Sequence, residues 1–345
     1  MSPTIFMIIM SSLATGTIIT MTSHHWLIAW VGLEMNTLAA IPVITTTHSP
    51  RATEAATKYF LTQAAASALI LFSSMTNAWQ TGSWDITSLT TTPSHIMLTL
   101  ALAMKLGLAP MHFWLPEVLQ GTTLTTALVI TTWQKLAPIS LIYLTINNLS
   151  TTILMALGIL SAIIGGWAGL NQTQIRKIMA YSSIAHLGWM ASISSIMTDI
   201  MVFNLIIYLM LTTALFCSLI LSELKTIQDM TTTWTASPMM ATIMAALIMS
   251  LAGLPPLTGF MPKWLVLEEL ILQNLIVPAS ILVLSTLLSL FFYLRLTYAT
   301  TLTLSPNMVY IKFKWRFKPA LLSQLMVALS TMSIFLLPIA PLTLL

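Results

Sequence analysis

The sequence predicts an all-α polytopic membrane protein with about eleven transmembrane helices: two inverted five-helix repeats with broken helices, plus a C-terminal helix. Three observations carry that prediction. Of 345 residues, 57% are hydrophobic and only 6% are charged, so lipid is the expected solvent for most of the chain. Apolar runs of about 20 residues, the length of a helix that crosses a bilayer, recur from one end to the other. Glycine and proline interrupt two of these runs in corresponding places of the two halves, the pattern expected around an ion site in a transporter.

The runs fall near 3–21, 25–45, 56–77, 95–119, 122–146 and 149–171, then 174–196, 199–222, 237–270, 276–301 and 320–343. The first opens Met1-Ser2-Pro3-Thr4-Ile5-Phe6, which lacks both the basic n-region of a secretory signal and the Arg-rich pattern of a transit peptide, so its retention is expected. The fourth contains Gly107-Leu108-Ala109-Pro110 and then Phe113-Trp114-Leu115-Pro116. The ninth contains Gly253-Leu254-Pro255-Pro256 and then Phe260-Met261-Pro262-Lys263-Trp264, and is read as one broken helix. Proline removes a backbone donor and kinks a helix, and in hydrocarbon the freed carbonyls need other partners. The two breaks lie five spans apart, an odd number, so their helices cross the membrane in opposite directions. Residues 1–345 therefore read as a single membrane domain, with a first repeat over 1–146, an inverted one over 149–301, and a basic loop and last helix over 302–345. The fifth span is expected to be interrupted too, because Lys135 stands three residues before Pro138. Segments 78–94 and 302–319 are too short to be soluble domains.

Orientation follows from the basic residues. With eleven spans, Arg51, Lys58, Arg176, Lys177, Lys225, Arg295, Lys312, Lys314, Arg316 and Lys318 all fall on the side of the N-terminus. The opposite side receives only Asp85, Asp199, Glu268 and Glu269. The positive-inside rule then puts the N-terminus inside and the C-terminus outside. The run Lys312 to Lys318, interleaved with Phe313, Trp315 and Phe317, reads as an interfacial anchor against phospholipid headgroups.

Four ionisable residues stand inside the apolar spans: Glu34, Lys105, Lys135 and Lys263. A lysine at the centre of a bilayer helix costs roughly 2.5–3.5 kcal/mol, so such residues tend to face the bundle interior and serve an ion path or a gate. A lone buried charge also fits a structural ion pair between helices; four, three of them lysines, fit transport better. Other chemistries find little support. The single cysteine, Cys217, excludes an internal disulfide and a thiolate cluster. His24-His25 sit at a span junction, and no ligand pairs share a helix at metal-binding spacing. Nothing resembles a nucleotide loop or a Ser–His–Asp set, and the net charge of +4 requires no nucleic acid. The 24 methionines and the many threonines read as packing residues, the threonine hydroxyls bonding back to their own helices.

The segment Met104-Lys105-Leu106-Gly107-Leu108-Ala109-Pro110-Met111-His112-Phe113-Trp114-Leu115-Pro116-Glu117-Val118 resembles the signature of the antiporter-like membrane subunits of respiratory complex I. The resemblance extends through Gly165-Gly166, the stretch Arg176-Lys177-Ile178-Met179-Ala180-Tyr181-Ser182-Ser183-Ile184-Ala185-His186-Leu187-Gly188, and Leu251-Ala252-Gly253-Leu254-Pro255-Pro256, covering roughly residues 20–300. Membership implies a fourteen-helix plan of which this chain lacks the first three helices, leaving a flank that another subunit covers. It implies that Glu34 matches the glutamate of the family's fifth helix, Lys105 the lysine of the broken seventh, Lys135 the basic residue of the eighth and Lys263 the ionisable residue of the broken twelfth. His186 lies on the central, tenth helix and matches no obligatory charge.

The resemblance further implies a core membrane subunit of NADH:ubiquinone oxidoreductase in the mitochondrial inner membrane, with the N-terminus on the matrix side and the C-terminus on the intermembrane-space side. Its partners would be other membrane-arm subunits. It would translocate protons while NAD, FMN, iron–sulfur clusters and ubiquinone are bound by those partners and no cofactor or metal by this chain. A stand-alone cation/proton antiporter would use the same residues, and a purely structural subunit would hold them as inert ion pairs. Two geometric expectations follow. Lys105, Lys135 and Lys263 should line one buried path, with His186 a possible bridge between Lys135 and Lys263, although His186 equally fits a core histidine bonded to a carbonyl. Glu34 should form an ion pair with Lys105 that acts as a gate.

Overall fold

The computed structural model describes residues 3–303 and 322–335. The run Lys312 to Lys318, and with it the expected interfacial anchor, lies outside the described residues. The helices are α1 Pro3–Thr22, α2 Trp26–Ile44, α3 Pro50–Thr81, α4 Thr92–Leu106, α5 Trp114–Gly121, α6 Leu124–Thr131, α7 Trp133–Thr145 and α8 Thr151–Gly169. They continue as α9 Ile175–Ser194, α10 Thr198–Ser222, α11 Ile227–Thr231, α12 Thr233–Ala236, α13 Pro238–Ala252, α14 Phe260–Leu272, α15 Ile276–Thr301 and α16 Leu322–Phe335. Among the described residues, bridging between extended segments is confined to two isolated pairs, His25–Asp85 and Gln174–Thr226.

The architecture is that of an all-α polytopic membrane protein. Among the described residues, seven helical stretches are long and apolar enough to cross a membrane: α1, α2 with the short 3-10 turn after it, α3, α6 with α7, α8, α10 and α15. The fourth and ninth expected spans each come as two shorter helices, α4 then α5 and α13 then α14, parted at Gly107 and Gly253. The fifth is parted as well, but at Thr132 rather than at the proline; Pro138 sits inside α7. Thr132 has φ −110° and ψ −68° and its N–H still donates to Leu128 O at 3.0 Å, while the Thr131 and Thr132 hydroxyls bond back to Ala127 O at 2.9 Å and Leu128 O at 2.7 Å. Pro138 has no N–H for Gln134 O and its ring crowds that carbonyl, so the interruption falls before the proline rather than at it.

The chain divides into two compact units, one of residues 1–161 with 190–198 and one of 162–189 with 199–345. In the first, α1 and α2 approach closely: a Cβ on Gly32 would lie 2.9 Å from Gly16 O, so the two glycines let the backbones touch. Helix α3 packs against α2, α4 and α5. Its N-cap Ser49 accepts from Ala52 N, Pro50 starts the helix, and Gly82 at φ 72° ends it. The short α5 is fixed to α3 by Gly121, where a Cβ would lie 2.7 Å from Arg51 O, and by Lys58, whose ammonium reaches Glu117 at 2.7 Å and Glu54 at 2.5 Å. In the second unit α15 packs against α11, α13 and α14. Arg295 of α15 donates to the carbonyls of Leu170 and Gln172, just past the end of α8. Threonines bond back along their own helices, as Thr17 does to Ala14 O at 2.8 Å and Thr212 to Tyr208 O at 2.7 Å, so each hydroxyl is satisfied without leaving its helix.

Candidate functional site

Each broken span creates a helix end inside the apolar part of the chain, and helix ends leave carbonyls unpaired. In the first unit, α4 stops because Gly107 adopts φ 76° and ψ 40°, a left-handed conformation that glycine takes without a Cβ penalty. Gly107 N donates to Ala103 O and Met104 O, and Leu108 N donates to Ala103 O at 2.9 Å. Trp114, the first residue of α5, returns its indole N–H to Met104 O at 3.2 Å. The carbonyl of Leu106, the last residue of α4, accepts from the ammonium of Lys135 on α7. That ammonium also lies 5.5 Å from the centre of the Trp114 ring, in cation–π range. Lys135 is 1% exposed and is held by a carbonyl and an aromatic face.

Lys105 stands one residue before the end of the same helix, 3% exposed, and its Nζ is buried with no hydrogen-bond partner among the described residues. Glu34 is half-buried on α2 and lines an open groove of about 880 Å³ with Trp30 and the small residues Ala64, Ala65, Ser67 and Ala68 of α3. The ion pair expected between Glu34 and Lys105 is not formed: the Lys105 ammonium has no hydrogen-bond partner among the described residues. The physical reason is direction. The Glu34 carboxylate sits on the α2–α3 groove and the Lys105 ammonium in the interior, so the two do not meet in a hydrogen bond. The nearest hydroxyl to Glu34 is that of Thr37, at 3.4 Å from Oε2.

A buried chain of neutral polar groups joins the surrounding helices. Tyr59 OH donates to Gln134 Oε1 at 3.4 Å, and Gln134 Nε2 donates to Asn36 Oδ1 at 3.0 Å. The Tyr59 ring meets Trp114 edge-on, with centroids 5.8 Å apart. The chain therefore links α3, α7 and α2, beside Lys135 in sequence and two residues from Glu34. None of Tyr59, Gln134, Asn36 or Trp114 was singled out from the sequence as a site residue; their adjacency to Lys135, to Glu34 and within the broken-helix motif was the available signal.

The second unit repeats the helix end. α13 stops at Gly253, with φ 86° and ψ 46°. Gly253 N donates to Ser250 O at 3.0 Å and Leu254 N to Met249 O at 3.4 Å. The last two carbonyls of α13 accept from Lys263 Nζ, Ala252 O at 2.8 Å and Leu251 O at 3.5 Å. The loop between α13 and α14 closes tightly, since a Cβ on Gly259 would fall 1.7 Å from Ser250 O. His186 on α9 belongs to this unit too. It bonds to the backbone of Leu251, the same residue that Lys263 reaches, and its ring lies 5.6 Å from that of Tyr208 on α10. The structure thus brings Lys263 and His186 together at Leu251, sets Lys105 and the Lys135 ammonium at the same end of α4, and leaves Glu34 apart on the α2–α3 groove.

Comparison with known proteins agrees with this arrangement. Residues 23–289 match the family model described as NADH:quinone oxidoreductase/Mrp antiporter, TM, and residues 290–344 match that of NADH dehydrogenase subunit 2 C-terminus. The chain is 54% identical over 342 residues to the NADH-ubiquinone oxidoreductase chain 2 of Varanus timorensis, covering 99% of each. It is 52% identical over 347 residues to that of Xenopus laevis, covering 100% of each. Among solved structures, a chain of respiratory complex I from Thermus thermophilus superposes with a TM-score of 0.80 at 26% identity, over 94% of this chain and 78% of that one.

Proposed function

The chain belongs to the NADH:quinone oxidoreductase/Mrp antiporter membrane family, and from that premise we infer that it is a core membrane subunit of NADH:ubiquinone oxidoreductase that carries protons across the mitochondrial inner membrane. One observation carries the residue assignment: a lysine ammonium stands at the carbonyl end of each broken half-helix, that of the buried Lys135 at α4 and that of the half-buried Lys263 at α13. A lysine carries an exchangeable proton on a flexible stem, and the carbonyls hold that ammonium at the helix end. Lys135 and Lys263 are the proton carriers at the two helix ends. Lys105 is a third, with an ammonium that has no hydrogen bond to break before it releases a proton. Glu34 acts as the gate by modulating Lys105 electrostatically across a distance. His186, beside Lys263, is the bridging group of the path.

The remaining assignments follow from the same premise. The chain comprises an inverted pair of five-span repeats, 1–146 and 149–301, followed by a last span, giving eleven crossings once each broken span is counted as one. Its N-terminus faces the matrix and its C-terminus the intermembrane space. It assembles with other membrane-arm subunits and with phospholipid, and the NAD, FMN, iron–sulfur and quinone chemistry is carried by those partners. The test is the number of protons translocated per NADH oxidised by the assembled, reconstituted complex bearing Lys135→Ala or Lys263→Ala. Each variant is expected to lower that ratio. A parental ratio in both, with full assembly, would return the lysines to a structural role.

A further inference from the structure

The two lysine-capped helix ends are alike in geometry and unlike in origin. Gly107 and Gly253 both have positive φ, and in both places the following amides satisfy carbonyls of the last turn and leave the final one to an ammonium. At α13 that ammonium comes from Lys263, ten residues after Gly253 on the returning half-helix. The residue ten places after Gly107 is not a lysine but Glu117, which is bound to Lys58. The ammonium at α4 comes instead from Lys135, on the next span. What the two units share is therefore the carbonyl end, not the chain position of the lysine.

We infer that the carbonyl end of each broken half-helix is a dock for a lysine ammonium, and that Gly253 and Trp114 are the positioning residues that shape the two docks. Three physical effects converge on such a dock. The negative end of a helix dipole attracts a cation. Carbonyls freed in hydrocarbon have no water to satisfy them. A hydrogen bond from an ammonium is about twice as strong as one from a neutral amine, so the lysine is held firmly when charged and weakly when neutral. Gly253 keeps the α13 dock open. A Cβ there would stand 2.9 Å from Lys263 Nζ, 3.0 Å from Cδ and 3.2 Å from Cε, displacing the side chain from its carbonyls. Trp114 closes the α4 dock from the other side, with its ring face toward the Lys135 ammonium and its indole N–H tied to Met104 O.

This inference rests on the reading of the lysines as proton carriers, and one set of measurements separates the two. In the assembled complex in proteoliposomes, protons per NADH and the pumping rate per assembled complex are measured for Gly253→Ala, Gly82→Ala and Lys263→Ala. Gly82 has φ 72° and open space around it, so alanine there carries the same kind of backbone strain without touching a lysine. A displaced reacting group can cost up to about a hundredfold, and Gly253→Ala is expected to lower the pumping rate by at least about tenfold while Gly82→Ala pumps at the parental ratio. Equal behaviour of the two glycine variants, with Lys263→Ala impaired, overturns the dock. A parental ratio in Lys263→Ala overturns the proton-carrier reading of Lys263 instead. Should Gly253→Ala fail to assemble, Trp114 decides. Trp114→Phe keeps the ring and Trp114→Leu removes it, while both lose the bond to Met104. The dock predicts that Phe preserves the ratio and Leu lowers it, and equal ratios in the two overturn it.

Discussion

At the scale of single residues, lipid makes every buried polar atom consequential, and the protein answers this in two ways. Most hydroxyls bond back to their own helix, which satisfies them at no conformational cost to neighbours. Tyr59, Gln134 and Asn36 instead bond to one another across three helices. Replacing Gln134 by Leu leaves the other two without that partner. Interhelical hydrogen bonds in membranes average about 0.6 kcal/mol and reach about 1.7 kcal/mol. Gln134→Leu is therefore expected to lower the thermal midpoint of the assembled complex slightly. The change should vanish when it is introduced into a Tyr59→Phe, Asn36→Leu background, where there is nothing left to unpair. A full-sized loss in that background would show that the chain contributes nothing. The charged residues were legible in the sequence because a lysine in an apolar run has no inexpensive explanation. The neutral chain was not, since Tyr, Gln and Asn at single positions look like ordinary packing. The expected Glu34–Lys105 pair failed for a related reason: spacing gives the depth of a side chain in the membrane but not the direction it faces.

At the scale of helices, the sequence announced the interruption of all three broken spans, but not that the third would fall at Thr132, before Pro138. Gly107 and Gly253 end their helices as left-handed caps, a conformation that the Gly-Leu-x-Pro pattern invites. The third break falls at Thr132, six residues before Pro138, because a proline disturbs the turn that precedes it and not its own position; the hydroxyl bonds of Thr131 and Thr132 are of the same kind that the unbroken α10 carries at Thr212. Helix contact was partly legible too. Gly165-Gly166 stood out as part of the family resemblance, and the structure gives Gly165 a definite task. A Cβ there would meet Ala185 N at 2.7 Å and Tyr181 O at 2.9 Å, both backbone atoms of α9, which cannot move aside as a side chain would. Gly165→Ala must push α8 away from α9, immediately beside His186. Overpacking of this kind costs typically about 1–3 kcal/mol. The expected result is a lower thermal midpoint and less assembled complex, and an unchanged midpoint with unchanged assembly would mean that the two helices are free to separate.

At the scale of the whole molecule, each compact unit carries one span broken at a left-handed glycine and one lysine-capped helix end, so the unit of function is the broken helix with its cap rather than any single charge. Such an arrangement can drive vectorial transport only if the chain has one orientation, and the distribution of basic residues is the physical basis for assigning it. Ten of the 13 lysines and arginines lie outside the membrane-embedded positions, and with eleven spans all ten fall on one side. A single miscounted span before residue 300 would scatter them, so orientation and span count stand or fall together. The lone cysteine, Cys217, is buried, which leaves a silent background for labelling. Thr87 and Asn171 are both exposed, the first between α3 and α4 and the second between α8 and α9. Eleven spans with the N-terminus in the matrix place Thr87 on the intermembrane-space side and Asn171 on the matrix side. Thr87→Cys should therefore react with an impermeant maleimide in mitoplasts and not in inverted inner-membrane vesicles, and Asn171→Cys should do the reverse. Labelling of both from the same side would remove an odd number of crossings between them, and with it the inverted repeat. The opposite pattern would keep the repeat and turn the protein over, making the basic face the one that looks away from the matrix.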